Sequence, residues 1–248
     1  MGIYDRDYYR APTRHPRTPF GGMRMWTVTT WLIAINVAVF VLNSTFYQII
    51  SRGGQVVAKI PLIEAWGHFS VDTAIFQFQL WRFITFQFLH ADLFHLLFNM
   101  IGLYFFGPMI ESYLGSRRFL VFYLLCGMAG PFGYMLLWAW SNATTMQLIQ
   151  DAAVPLVGAS AGIFGILIAA AQIAPDATVL VYGFFPVRLR VLAWVLLAVA
   201  LYTVLTSGNN AGGEAAHLGG AVMGWLLIRN PHVLDLLLPP ERRRMQFR

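Results

Sequence analysis

Six long apolar runs, joined by more polar connections, are the strongest constraint on how this chain can fold. A helix needs about 20 apolar residues to cross the hydrocarbon core of a bilayer. The composition, 58% hydrophobic and 11% charged, is also far from that of soluble proteins. We therefore predict an all-α membrane protein, a six-transmembrane-helix bundle, with spans near residues 26–47, 92–110, 118–139, 158–174, 190–206 and 215–229.

The connection between the first two spans is the longest, about 44 residues from Gln48 to Ala91. Because it is rich in apolar and aromatic side chains, we expect it to lie in the membrane interface as short amphipathic helices. The predicted organisation is a cytoplasmic, disordered arm (1–25), a six-helix membrane domain (26–230) and a basic cytoplasmic tail (231–248).

The basic residues favour one orientation of this bundle. With the N-terminus inside, the cytoplasmic segments contain fourteen of the 17 lysines and arginines, as the positive-inside rule requires. Both termini are then cytoplasmic, and the lack of an evident transit peptide favours a bacterial cytoplasmic (inner) membrane. Because no basic run is interleaved with aromatic residues, we expect no binding to nucleic acid.

Two polar residues lie inside the predicted spans near the outer face. Ser160 is set among small residues in Gly158-Ala159-Ser160-Ala161-Gly162, and His217 follows Ala216 in the sixth run. A rise of 1.5 Å per residue from the cytoplasmic anchors puts both side chains about 8–12 Å below the outer surface. Polar groups at that depth are costly unless they face a cavity or a partner, so both are candidate functional residues.

A serine whose hydroxyl lies close to a histidine ring is suited to nucleophilic catalysis. The neutral imidazole can remove the hydroxyl proton and make the serine a nucleophile. The other interpretation of His217 is a hydrogen bond to a carbonyl of a neighbouring helix. Small residues that would let the two helices approach closely favour the serine–histidine pair. They are Gly162 and Gly165 on the fourth run, and Gly220 and Gly224 on the sixth.

Phe164, four residues after Ser160, would share a helix face with it and could stack on the imidazole. A carboxylate as third member is not expected, since Asp151 and Glu214 are assigned to outer loops. The sequence therefore predicts a Ser160–His217 dyad. Gly158 would leave room for a substrate backbone at the serine, and Gly162 would let the histidine helix come close.

His95 and Asn99 form an i, i+4 pair on one face of the second run, where both can donate hydrogen bonds to a developing oxyanion. Helix-to-helix hydrogen bonding is an alternative role for this pair. A metal site built from His90, His95 and His217 is another, but the sequence offers no carboxylate or thiolate cluster nearby. We expect no metal and no cofactor.

Taken together, the motifs resemble those of the rhomboid family of intramembrane serine proteases. The resemblance covers residues 26–230. It rests on Trp81-Arg82, His90-x4-His95-x3-Asn99, Glu111-x3-Gly115-Ser116, Gly158–Gly162 and Ala216-His217-x2-Gly220-x3-Gly224.

The resemblance implies a protease that cleaves transmembrane protein substrates within or near the lipid bilayer, with Ser160 as nucleophile and His217 as general base and acid. It also implies an oxyanion hole made by His95, Asn99 and the Ser160 backbone amide. His90, Trp81 and Arg82 would have structural roles.

One departure is Phe164, where familiar members have tyrosine, so that stacking survives but a hydroxyl contact is lost. The loop Ser207–Glu214 resembles a lid, and the fifth helix, with Trp194, is the expected side of substrate approach. Two other functions stay open: a catalytically silent member that binds membrane proteins, and a membrane acyl hydrolase that uses the same dyad on lipid.

Overall fold

The computed structural model describes residues 26–52, 55–144, 151–181, 183–206 and 208–238. The predicted N-terminal arm and residues 239–248 of the predicted tail lie outside these ranges. So does Ser207, the first residue of the expected lid loop.

The described part of the chain is mostly helical, as the sequence predicts, and six of its α-helices have 14 residues or more. These six lie within a few residues of the six apolar runs. In chain order the α-helices are α1 Val28–Thr45, α2 Leu62–Gly67, α3 Arg82–Thr85, α4 Leu93–Leu114, α5 Ser116–Ala143, α6 Ser160–Ile173, α7 Leu189–Leu205 and α8 Ala211–Arg229.

The six long helices differ in length. α1, α4 and α5 are each long and apolar enough to cross a membrane, whereas α6 and α7 are shorter apolar helices. α6 has only 14 residues, about 21 Å at the usual helical rise. It therefore ends well short of a bilayer's hydrocarbon thickness of about 30 Å.

Two short β-hairpins, which the sequence does not predict, lie in connections between helices. β1 (Tyr47–Arg52) pairs antiparallel with β2 (Gln55–Pro61), and β3 (Thr178–Val181) pairs antiparallel with β4 (Phe185–Arg188). All four strands contain β-branched residues, which favour extended backbone. The second half of the long connection does form short helices: α2, a π-helical turn (Asp72–Phe76), α3 and a 3-10 turn (Phe86–Phe88).

Trp81 and Arg82 hold this long connection together. The buried Arg82 guanidinium donates to the side chain of Gln79 and to the backbone carbonyls of Ala65 and His68, at 2.6–3.0 Å. Trp81 stacks on Trp66, with ring centroids 5.5 Å apart, and donates its indole N–H to the Trp66 carbonyl. These contacts join the segment around Arg82 to the end of α2.

α6 lies at the centre of the bundle, where it contacts α4, α5, α7 and α8. Nine of its residues are buried, and all nine are glycine or apolar residues. α5 and α8 pack most extensively on each other and on α6, while α1 packs against α4. The helix that begins with Ser160 is therefore surrounded by four of the other long helices.

The first part of the predicted tail is folded. Pro231–Leu237 forms a 3-10 helix whose Leu234 is fully buried in the core. Asp235 pairs with Arg118 at the start of α5, with 2.7 Å between Oδ1 and Nε. This hydrogen-bonded arginine holds the pKa of Asp235 below its usual range.

Glu111, near the end of α4, joins three helices. One of its carboxylate oxygens accepts from the Val28 amide and the Ser116 hydroxyl, and the other from the amide and hydroxyl of Thr29, all at 2.6–2.9 Å. Gly115, with φ of +80°, makes the turn into α5 that brings Ser116 back to the carboxylate. Glu111 thus caps α1 and closes the α4–α5 turn.

We expect Glu111→Ala to lower the free energy of unfolding by about 2–4 kcal/mol, because it leaves buried donors without an acceptor. Unfolding by SDS titration in mixed micelles, followed by circular dichroism, measures this loss. Ser112→Ala, at an exposed position on the same turn, is the control. Equal stability of the two variants would contradict the capping role.

Candidate active site

Ser160 is the first residue of α6, and the backbone before it is held to the long connection. Leu156 and Phe69 exchange two backbone hydrogen bonds of 2.7 and 3.0 Å, and the Gly158 amide donates to the Phe86 carbonyl at 3.0 Å. Gly158 has φ of +130°, a conformation open to glycine but strained for other residues. The serine is therefore presented at a fixed position.

The structure brings Ser160 and His217 together, although they are 57 residues apart in the sequence. The hydroxyl Oγ of Ser160 lies 2.7 Å from Nε2 of His217, which is hydrogen-bonding distance. Both side chains are partly exposed, so the pair has access to the outside of the bundle.

Glycines at the contact of α6 and α8 allow this approach. A Cβ atom on Gly220 would collide with the backbone of Ala161, and one on Gly224 with the backbone of Gly165. The two helices therefore touch backbone to backbone, as small residues in membrane helices permit.

Gly162 does not serve this contact, so its predicted role is wrong. A Cβ at Gly162 would lie 2.7 Å from the ring of Tyr123 on α5. Gly162 follows Ser160 by two positions, and two positions on an α-helix are about 200° apart around the helix axis. Gly162 therefore faces away from the side of α6 that carries the serine. This glycine admits α5 instead of α8.

Phe164 stacks on the imidazole of His217. The ring centroids are 4.3 Å apart and the planes differ by 8°. The i+4 spacing from Ser160 predicts this contact, which fixes the plane of the imidazole while its nitrogens remain free for polar partners.

Glu214 contacts the other nitrogen of the same ring, and its predicted loop location is wrong. α8 already begins at Ala211, after Asn210 with φ of +66°, so the expected lid loop is also shorter. Oε2 of Glu214 lies 2.8 Å from Nδ1 of His217, one helical turn away. The i, i+3 spacing was the sequence signal for this contact, but Gly212 and Gly213 favoured a loop.

The imidazole of His95 borders Ser160 from α4. The Asp92 carboxylate caps α4 by accepting from the His95 amide at 2.9 Å, and the Ala91 amide donates to Nδ1 of His95 at 3.4 Å. A Cβ at Gly158 would lie 2.8 Å from Nε2 of His95 and 3.5 Å from Oγ of Ser160. The missing side chain at Gly158 is therefore what leaves space between the imidazole and the serine.

Asn99 lies one turn further along α4, on the same face as His95. Its side chain is buried, and within the described residues its amide nitrogen Nδ2 has no hydrogen-bond partner. A buried donor without a partner is costly in a folded protein, so this amide is free for a ligand.

His90 packs behind His95, with the two rings edge to face and their centroids 5.1 Å apart. Burial, aided by the charge of His95, lowers the pKa of His90 to about 3, so His90 is neutral at cellular pH. In the ranges that the structure describes, no three His, Cys, Asp or Glu side chains are grouped to hold a metal ion.

A serine–histidine pair enclosed by apolar helices defines the class: a helical membrane protein with a polar site inside its bundle. The Rhomboid domain family model matches residues 77–230, more than half of the chain. The chain belongs to the rhomboid family.

Relatives occur in both mitochondria and bacteria. The chain is 30% identical over 194 residues to RHOMBOID-like protein 12, mitochondrial, of Arabidopsis thaliana, an alignment that covers 71% of this chain and 57% of that protein. It is 27% identical over 221 residues to Rhomboid protease AarA of Providencia stuartii, which covers 84% and 74%.

It is also 28% identical over 130 residues to Rhomboid protease GlpG of Klebsiella pneumoniae, which covers 52% and 39%. The chain thus spans little more than half the length of the Arabidopsis relative and less of the Klebsiella one. Some relatives are named as proteases, so the family includes proteases.

We expect Gly220→Ala to lower the free energy of unfolding by about 1–3 kcal/mol, because the new methyl group forces α8 away from α6. The same micelle titration measures it. Val222→Leu adds one carbon at an exposed position of α8 and should leave stability unchanged. Equal stability of both variants and the wild type would show that the helices are not in backbone contact.

Proposed function

We propose that this protein is an intramembrane serine endopeptidase that cleaves transmembrane protein substrates within or near the bilayer. Ser160 is the nucleophile, and His217 is the general base and acid. The observation that carries the proposal is the 2.7 Å distance between Ser160 Oγ and His217 Nε2, in a family whose members include named proteases.

In the first step, Oγ of Ser160 attacks the carbonyl carbon of the scissile peptide while its proton moves to Nε2 of His217. The carbon–nitrogen bond then breaks, and the imidazolium returns the proton to the leaving amine. The product is an acyl-enzyme with an ester bond to Ser160.

Water completes the cycle. It attacks the ester carbonyl as its proton passes to Nε2 of His217. The carbon–oxygen bond to Ser160 breaks, and the serine oxygen takes the proton back. Partial exposure of both side chains supports this step, which needs a route for water to a site between apolar helices.

In this proposal three donors serve the oxyanion of each tetrahedral intermediate: Nε2 of His95, Nδ2 of Asn99 and the Ser160 backbone amide. The Ala91 amide, which donates to Nδ1 of His95, favours the neutral tautomer with its proton on Nε2. The Asn99 amide has no partner in the described residues. The first amides of a helix have no partner within the helix, which makes the Ser160 amide suitable for an anion.

In the proposed membrane arrangement the six long helices all cross the bilayer, with both termini in the cytoplasm of a bacterium. The short α6 would leave a wet cavity above Ser160, open to the outer face. The connection between α7 and α8 would form the lid. α7, whose Trp194 is 72% exposed, would border the path of the substrate helix.

The direct experiment uses the purified protein in proteoliposomes with a labelled transmembrane peptide. We expect cleavage by the wild type, and a loss of at least about 100-fold in kcat for Ser160→Ala and His217→Ala, because each removes the nucleophile or its base. Ser112→Ala is the matched control and should keep wild-type kcat.

Absence of serine-dependent peptide cleavage would contradict the proposed function. Fatty-acid release from the phospholipid vesicles, measured in the same samples, separates the protease from an acyl hydrolase. Serine-dependent lipid hydrolysis without peptide cleavage would establish the latter.

The oxyanion hole has its own prediction. We expect Asn99→Ala to lower kcat about 10²–10³-fold with little change in KM, as loss of one such donor does. Asn230→Ala, at an exposed position beyond the end of α8, is the control for kcat. A kcat for Asn99→Ala within twofold of the wild type would remove Asn99 from the oxyanion hole.

A further inference from the structure

We infer that Glu214 is a positioning residue for His217: its carboxylate selects the imidazole tautomer that can act as a base and balances the charge when the ring is protonated. This inference rests on the proposed function. It adds Glu214 to the predicted dyad, giving a serine–histidine–glutamate chain in which Glu214 acts through the histidine.

The geometry places one partner at each ring nitrogen of His217. Glu214 Oε2 lies 2.8 Å from Nδ1, and Ser160 Oγ lies 2.7 Å from Nε2. A carboxylate only accepts hydrogen bonds, so it holds the proton on Nδ1 and leaves the Nε2 lone pair for the serine hydroxyl. This is the tautomer that general-base catalysis by Nε2 requires.

The contact between Glu214 and His217 is partly shielded from water. The side chains of His217 and Glu214 are only 16% and 21% exposed. A charge interacts more strongly in such surroundings than at an open surface. Both residues belong to α8, and Phe164 covers the face of the imidazole. The ring is therefore fixed by an acceptor, by a stacking partner and by the serine.

A purely structural role is the alternative. Glu214 lies in the first turn of α8, where a negative charge stabilises a helix N-terminus. That role depends on the charge alone, so every neutral replacement of Glu214 should have the same effect. The positioning role depends on a hydrogen-bond acceptor at Nδ1 as well as on charge.

Two neutral replacements of similar size separate these roles. Glu214→Gln can still accept from Nδ1 through its amide oxygen, whereas Glu214→Met has no comparable acceptor. We expect kcat for the transmembrane peptide to fall about 10- to 100-fold in Glu214→Met, at or below the lower end of the roughly 10²–10⁴-fold that general acid–base catalysis contributes, because the base itself is still present. Glu214→Gln should recover part of this loss, and KM should be unchanged in both.

The assay uses the full-length protein in proteoliposomes, with unfolding in mixed micelles measured in parallel. Asp151→Asn is the matched control, since Asp151 is another acidic residue assigned to an outer loop and its Oδ1 accepts from the Ala153 amide. It should keep wild-type kcat.

The outcomes are distinct. A wild type without Ser160-dependent cleavage would overturn the proposed function, and this inference with it. An active wild type with Glu214→Met within twofold of its kcat would overturn the inference alone. Equal kcat losses in Glu214→Met and Glu214→Gln, matched by equal losses of stability, would also overturn it in favour of the helix-terminal role.

Discussion

The backbone contact between α6 and α8 sets the distance on which the candidate site depends. Ser160 begins one of these helices and His217 lies on the other. Their side chains meet because Gly220 and Gly224 carry no Cβ to hold the helices apart. Within a bilayer the hydrophobic effect does not drive helices together, and close packing has to do so. The same glycines therefore stabilise the bundle and bring Ser160 to His217.

The rest of the fold positions this contact from outside. The long connection is fixed by the buried Arg82, and its backbone is bonded to the segment before Ser160. Glu111 ties α4 to α1 and α5, and α4 carries the His95 that borders Ser160. Most of the hydrogen bonds that define the site thus come from elements outside the central helix, which itself carries little polarity apart from Ser160.

Much of this arrangement follows from the sequence. The apolar runs locate the six long helices, because few other structures can bury so many apolar residues. Helical periodicity predicts the stacking of Phe164 on His217 and the shared face of His95 and Asn99. The meeting of Ser160 with His217 follows from their similar depth and from the small residues on both helices.

The predictions from sequence that the structure contradicts failed for physical reasons. Paired glycines before Glu214 favour a loop in isolation, yet in the fold α8 extends through them to Ala211. This extension of one turn changes a loop residue into a partner of His217. Gly162 was misplaced because a small residue indicates close packing without indicating the partner helix. The strands of the two hairpins are short, so an alternation of apolar and polar residues along them gives little signal. Their pairing depends more on the turns that join them.

The most direct test of this site is to map where a fluorophosphonate reacts with the protein, by mass spectrometry of the membrane-reconstituted chain. The sequence contains eight serines, which serve as internal controls. If the α6–α8 contact activates one hydroxyl through His217, the adduct forms on Ser160 and is lost in His217→Ala. An adduct on another serine, or equally fast reaction of Ser160 in His217→Ala, would contradict it.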